Sequence, residues 1–84
     1  MDKLKFGETA VLVDGKEYIC FTALNLENKD YVGLISNTQP IEVLFARQVI
    51  QDGNLELTVV EDRSEKERLV KLFKEKNSQE YSNS

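Results

Sequence analysis

Residues 9–26, TAVLVDGKEYICFTALNL, decide the fold. Asp14-Gly15 stands between two apolar stretches, Thr9–Val13 and Glu17–Leu26. Asp-Gly readily supplies the positive φ angles that a tight hairpin turn requires, so the pair predicts two antiparallel strands. In the second stretch Ile19, Phe21 and Ala23 share one face, and Tyr18, Cys20, Thr22, Leu24 and Leu26 share the other. A sheet with one solvated face alternates apolar with polar more cleanly than this. Both faces of the strand are therefore expected to be covered in part, by strong coiling of the sheet, by a helix or by a partner subunit.

The same punctuation continues downstream. Glu27-Asn28-Lys29-Asp30 is a polar break before a strand at Tyr31–Ser36, and Asn37-Thr38-Gln39-Pro40 is the next break. Pro40 has no N–H for a ladder hydrogen bond, which places it at a strand entrance. Ile41–Ile50 follows, again apolar on both faces, and then Asp52-Gly53-Asn54 and a last strand at Leu55–Val60. Five short strands joined by four short turns predict an antiparallel meander, either an open coiled sheet or a closed barrel. Gly33 falls inside a strand, which predicts a bulge or a close backbone approach.

The final element is a helix over Arg63–Lys76. Asp62 and Ser64 are each followed three residues later by a glutamate, Glu65 and Glu67, the spacing of a capping box. Leu69, Val70, Leu72 and Phe73 form a narrow apolar stripe at helical spacing. Lysines in its last turn would face the negative end of the helix dipole. The prediction is an α+β fold: one domain over residues 1–76, with the helix packed on the sheet, and a frayed polar tail over 77–84.

Charge is unevenly spread. Residues 1–62 carry five basic and eleven acidic side chains, whereas residues 63–76 carry six basic and three acidic ones. An acidic body disfavours broad binding to nucleic acid, since phosphate contacts need cations. The basic helix leaves a nucleic-acid-associated regulator as the second reading. An acidic inhibitor of a nucleic-acid-binding protein, of the kind phages encode, is a variant of it. The chain has no stretch of about 20 apolar residues that could span a membrane. A single cysteine, Cys20, fits a reducing compartment, and the expected location is the cytoplasm.

Chemistry is sparse. With no histidine, the commonest general base and zinc ligand are missing. Cys20 lies among Tyr18, Ile19 and Phe21, where a thiol packs as a small hydrophobe rather than reacting. Asp52-Gly53-Asn54 lacks calcium-loop spacing, and the four glycines form no phosphate loop. The expectation is no catalytic residue, no cofactor and no metal. Tyr18, Tyr31 and Phe45 could in principle stack single-stranded bases, but few cations accompany them. Arg47 is the only basic residue of the fourth strand and a reasonable anchor, since arginine is enriched at binding hot spots. Tyr31, Arg47, Arg68 and Lys71 make up the candidate protein interface. The function expected is a non-enzymatic adaptor acting through protein–protein contact, with a homodimer as one way to cover the second sheet face.

The order of these features resembles the YrzB-like small acidic domains of bacteria. The matching residues are Leu12-Val13-Asp14-Gly15-Lys16-Glu17-Tyr18 leading into Phe21, then Asp30-Tyr31-Val32-Gly33-Leu34. They continue with Ile41-Glu42-Val43-Leu44-Phe45-Ala46-Arg47, Leu55, and Val60 before Glu61-Asp62, and end with Glu67, Val70 and Phe73. Where the family carries an acidic loop between the third and fourth strands, this chain has Asn37-Thr38-Gln39-Pro40. The resemblance implies a small cytoplasmic bacterial protein and transfers no site residues.

Overall fold

Glu27 and Asn28 both take positive φ, 53° and 65°, and this two-residue turn organises the centre of the sheet. Its backbone twist matches that of the strands it joins. The computed structural model describes residues 3–82, with side chains through residue 77. Five strands, β1 (Thr9–Val11), β2 (Glu17–Leu26), β3 (Lys29–Ser36), β4 (Val43–Gln51) and β5 (Asn54–Val59), pair in sequence order, every pair antiparallel. The sheet curls into a half-barrel, and helix α1 (Arg63–Ser82) packs against it. The α+β meander expected from the sequence is the fold.

Several boundaries differ from expectation. The tight turn uses only Glu27 and Asn28, so Lys29 and Asp30 belong to β3 and pair with Leu26 and Asn25. β1 stops at Val11, because Leu12 turns its N–H to the Lys16 carbonyl at 3.1 Å. β4 starts at Val43 rather than Ile41, because the Ser36 hydroxyl gathers the preceding loop. It accepts the Glu42 N–H at 2.8 Å and lies 3.2 Å from Thr38 O and 3.3 Å from Pro40 O. Asp52 and Gly53, with φ of 53° and 79°, form the last hairpin turn.

A bulge on β2 explains why both faces of that strand are apolar. The register with β3 shifts between Cys20 and Thr22, which inserts Phe21 as an extra residue and reverses the side-chain parity. Before the bulge Tyr18 and Cys20 point into the concave face; beyond it Leu24 and Leu26 pack toward α1. The concave core holds Leu4, Tyr18, Cys20, Val32, Leu34 and Ala46, and the helix-side core holds Leu24, Tyr31, Phe45, Val60 and Leu69. Sheet curl and an N-terminal arm cover one face, and α1 covers part of the other. The expected irregularity near Gly33 thus sits on the partner strand. A Cβ on Gly33 would lie 2.6 Å from Phe21 Cζ and 2.7 Å from Thr22 Cγ2.

Asp62 caps α1, its Oδ2 accepting the Glu65 N–H at 2.8 Å. The second half of the capping box is not made, since the Glu65 carboxylate instead accepts the Tyr31 hydroxyl. The helix continues through Ser82, past the expected end at Lys76. No glycine or proline follows Lys76 to stop it, and each further residue adds one backbone bond to an existing helix. Residues 77–82 are therefore helical rather than tail, while 83–84 lie outside the described residues. Lys74 and Lys76 consequently stand in the helix interior, and the last turn has no basic residue.

Candidate functional site: an apolar cleft beside a basic helix

Helix α1 reaches the sheet through Leu69, Leu72 and Phe73. Leu69 is fully buried, and Phe73 meets Phe21 edge-on at 5.4 Å between ring centroids. Two tethers fix its path along β2. Arg68 is ion-paired to Glu27 in the β2–β3 turn at 2.7 Å, and Lys76 Nζ donates to the Ala23 carbonyl at 3.3 Å. Lying along β2, the helix leaves the end of β4 uncovered.

That gap is a cleft of about 450 Å³ between α1 and the ends of β4 and β5. Val43, Phe45 and Val60 line the sheet side, and Val70 and Lys66 line the helix side. Val43 is 59% exposed, and Val59 and Val70 are each 37% exposed. Ile41, just before β4, adds a further exposed apolar side chain. Isolated exposed apolar residues are ordinary, whereas several lining one concavity form a candidate binding surface. The outer face of α1 continues the wall with Arg63, Lys71 and Lys74, interspersed with Glu67 and Glu75.

The four candidate interface residues do not form one surface. Tyr31 is 1% exposed and belongs to the helix-side core, its hydroxyl donating to Glu65. Placing it at an interface is corrected: the side chain is inside because Tyr31 pairs with Leu24, directly beneath the helix. Arg47 is exposed and pairs across the sheet with Tyr31 and Thr58. Arg68 holds the helix to Glu27, and Lys71 lies on the outer helix face. Tyr18, Tyr31 and Phe45 are core residues, the reading favoured over a stacking platform. Tyr18 and Tyr31 are both buried and Phe45 nearly so, which takes these three rings out of reach of bases. From sequence Val43, Val59 and Val70 each read as an ordinary core residue; the path of α1 leaves them exposed.

The polar groups are arranged to hold structure. Burial pushes the Tyr31 phenol above its ordinary value of 10.0, and its bond to Glu65 adds to this. Tyr18 shifts the same way, first through burial and then through donating to Asp14 Oδ2 at 3.0 Å. The Asp14 carboxyl is lowered chiefly by accepting the Lys16 N–H at 2.9 Å. Burial raises the Cys20 thiol, whose Sγ lies 3.3 Å from the Thr22 carbonyl, so the reactive thiolate is disfavoured. Among the described residues no group of three or more Cys, Asp or Glu could hold a metal ion. No helix among them is long and apolar enough to cross a membrane. Comparison with protein-family models, curated proteins and solved structures gives no match to this chain.

Proposed function

We propose that the protein is a non-enzymatic binding module acting through protein–protein contact, with the cleft between α1 and β4 as its docking surface. The observation that carries this reading is the set of exposed valines, Val43, Val59 and Val70, around one concavity flanked by Arg63, Lys66 and Lys74. The apolar floor selects an occupant with apolar side chains. The lining also holds Lys66 and Glu61, and the outer face of α1 beside it carries Arg63, Lys71 and Lys74 against Glu67 and Glu75, a net positive balance that favours neighbouring carboxylates. Such a segment gains from desolvating the valines, while the lysines set its approach and orientation.

The test is capture from lysate, with and without nuclease, by four immobilised proteins: wild type, Val70→Asp, Lys66→Glu and Val13→Asp. Val13 is exposed in the β1–β2 turn, away from the cleft, and serves as the control. The reading requires a protein partner retained by wild type and Val13→Asp and lost from the two cleft variants. Identical capture by all four removes the cleft from the account. Capture that disappears on nuclease treatment transfers the function to nucleic acid at the basic helix.

A further inference from the structure

The arm of residues 3–6 lies over the concave face, held by contacts that a second copy could provide equally well. Leu4 inserts into the concave core beside Tyr18, Val32 and Ala46. The buried Gln48 side chain grips the Leu4 main chain at both polar atoms, accepting from N–H at 2.7 Å and donating to C=O at 3.3 Å. Lys3 is ion-paired to Asp30 at the start of β3. These are side-chain contacts rather than strand pairing. The arm joins the sheet through one turn, closed by the Glu8 N–H to the Lys5 carbonyl at 3.0 Å and the Lys5 N–H to Glu8 Oε1 at 2.7 Å. Gly7 in that turn has φ of +86°, and a Cβ added there would meet nothing within 4 Å. Phe6 beside it is 77% exposed, and Val11 on the adjacent edge strand is 67% exposed.

We propose that this arm exchanges between two copies of the chain. In the resulting two-fold dimer, residues 3–5 of each copy fill the concave face of the other, and the hinge opens at Gly7. Exchange preserves the Leu4, Gln48 and Lys3 contacts and sacrifices only the small turn, which makes it an inexpensive route to association. It also brings the two hinge regions together, giving the exposed Phe6 and Val11 an apolar surface to meet. The occupant is a second copy because the concave face already fits this leucine, its main chain and its lysine. The valine cleft on the other side of the sheet plays no part.

Gly7→Val tests the hinge in the purified full chain. Valine resists positive φ, so the closed turn is disfavoured, while the N–H that Gly7 donates to Cys20 O at 2.8 Å is kept. Light scattering behind size exclusion should show dimers forming at concentrations lower than for wild type by roughly tenfold per hinge. The Leu4 amide should remain protected from exchange, and adding Leu4→Asp should return the protein to monomer. A Gly7→Val protein that stays monomeric overturns the proposal, as does a dimer that survives Leu4→Asp. Should the variant not fold, mixed light- and heavy-isotope wild-type chains at high concentration are treated with a zero-length amine–carboxyl cross-linker. Exchange requires Lys3–Asp30 links between light and heavy chains, and links confined to one isotope refute it.

Discussion

Gly33 and Phe21 occupy the same space: a Cβ at residue 33 would sit 2.6 Å from the Phe21 ring carbon Cζ. The ring lies over β3 because the β2 bulge puts Phe21 on the helix side, where it meets Phe73 and Phe45. Gly33→Ala should therefore destabilise the fold by about 1–3 kcal/mol, the usual cost of overpacking. Urea unfolding midpoints measure it. Trimming the obstacle in a Gly33→Ala/Phe21→Leu double variant should recover part of the loss relative to the sum of the two single changes. Strict additivity would mean the two residues do not compete for space.

Tyr18 and Tyr31 make the fold sensitive to alkali. Both phenols have folded-state values above 10.0, through burial first and a carboxylate neighbour second. The folded chain thus keeps protons that the unfolded chain releases above pH 10. Their contribution to stability is complete below that pH and is lost as pH rises through the folded values. Unfolding monitored between pH 8 and 12 should show a plateau followed by a decline. In Tyr31→Phe the decline should be shallower. An equal slope in both proteins would show that the Tyr31 phenol is not the group responsible.

Asp30 works in the opposite direction. Its carboxyl is lowered below 3.8, first by Lys3 and then by Asn25, so its contribution is present above the ordinary value and fades as pH falls through the folded one. Acid should loosen the N-terminal arm before it unfolds the sheet. Hydrogen exchange at the Leu4 amide, compared between pH 6 and pH 3 after correction for intrinsic rates, should rise ahead of the amides of β3. Asp30→Asn should show the loosening at pH 6 already. Arm and sheet opening together at every pH would contradict this order.

The strands were legible because turn chemistry is local. Asp14-Gly15 and Asp52-Gly53 announce their turns, and the two-faced apolar pattern of β2 reveals that both its sides are covered, whereas the same pattern in β4 leaves Val43 and Ile50 exposed. The bulge was not legible, because parity reversal at Phe21 depends on the register with β3, a non-local property. The end of α1 is hidden for a different reason: residues 77–82 are polar, but nothing in them breaks a helix already propagating. For the site, exposure of Val43 and Val70 follows from where α1 crosses the sheet. That crossing is set by long-range contacts, Tyr31 to Glu65 and Glu27 to Arg68, which sequence spacing does not encode.

Asp62 and Ser64 offered two equally good starts for the helix, and the structure separates them. The Asp62 carboxylate accepts the Glu65 N–H, satisfying one of the unpaired donors of the first turn, and its charge faces the positive end of the dipole. Ser64 lies inside the helix and is exposed. Asp62→Ala should therefore cost about 1 kcal/mol, and Ser64→Ala should be close to neutral. The Asp62 effect should reach beyond the helix terminus. Loosening the first turn shifts Glu65, which holds the Tyr31 hydroxyl, and Lys66, which walls the cleft. Combining Asp62→Ala with Tyr31→Phe should then cost less than the two changes separately, because the first already weakens the bond that the second removes. Additive losses would make the cap and the Tyr31–Glu65 bond independent, and the position of the cleft wall would have to be set by Leu69 and Phe73 alone.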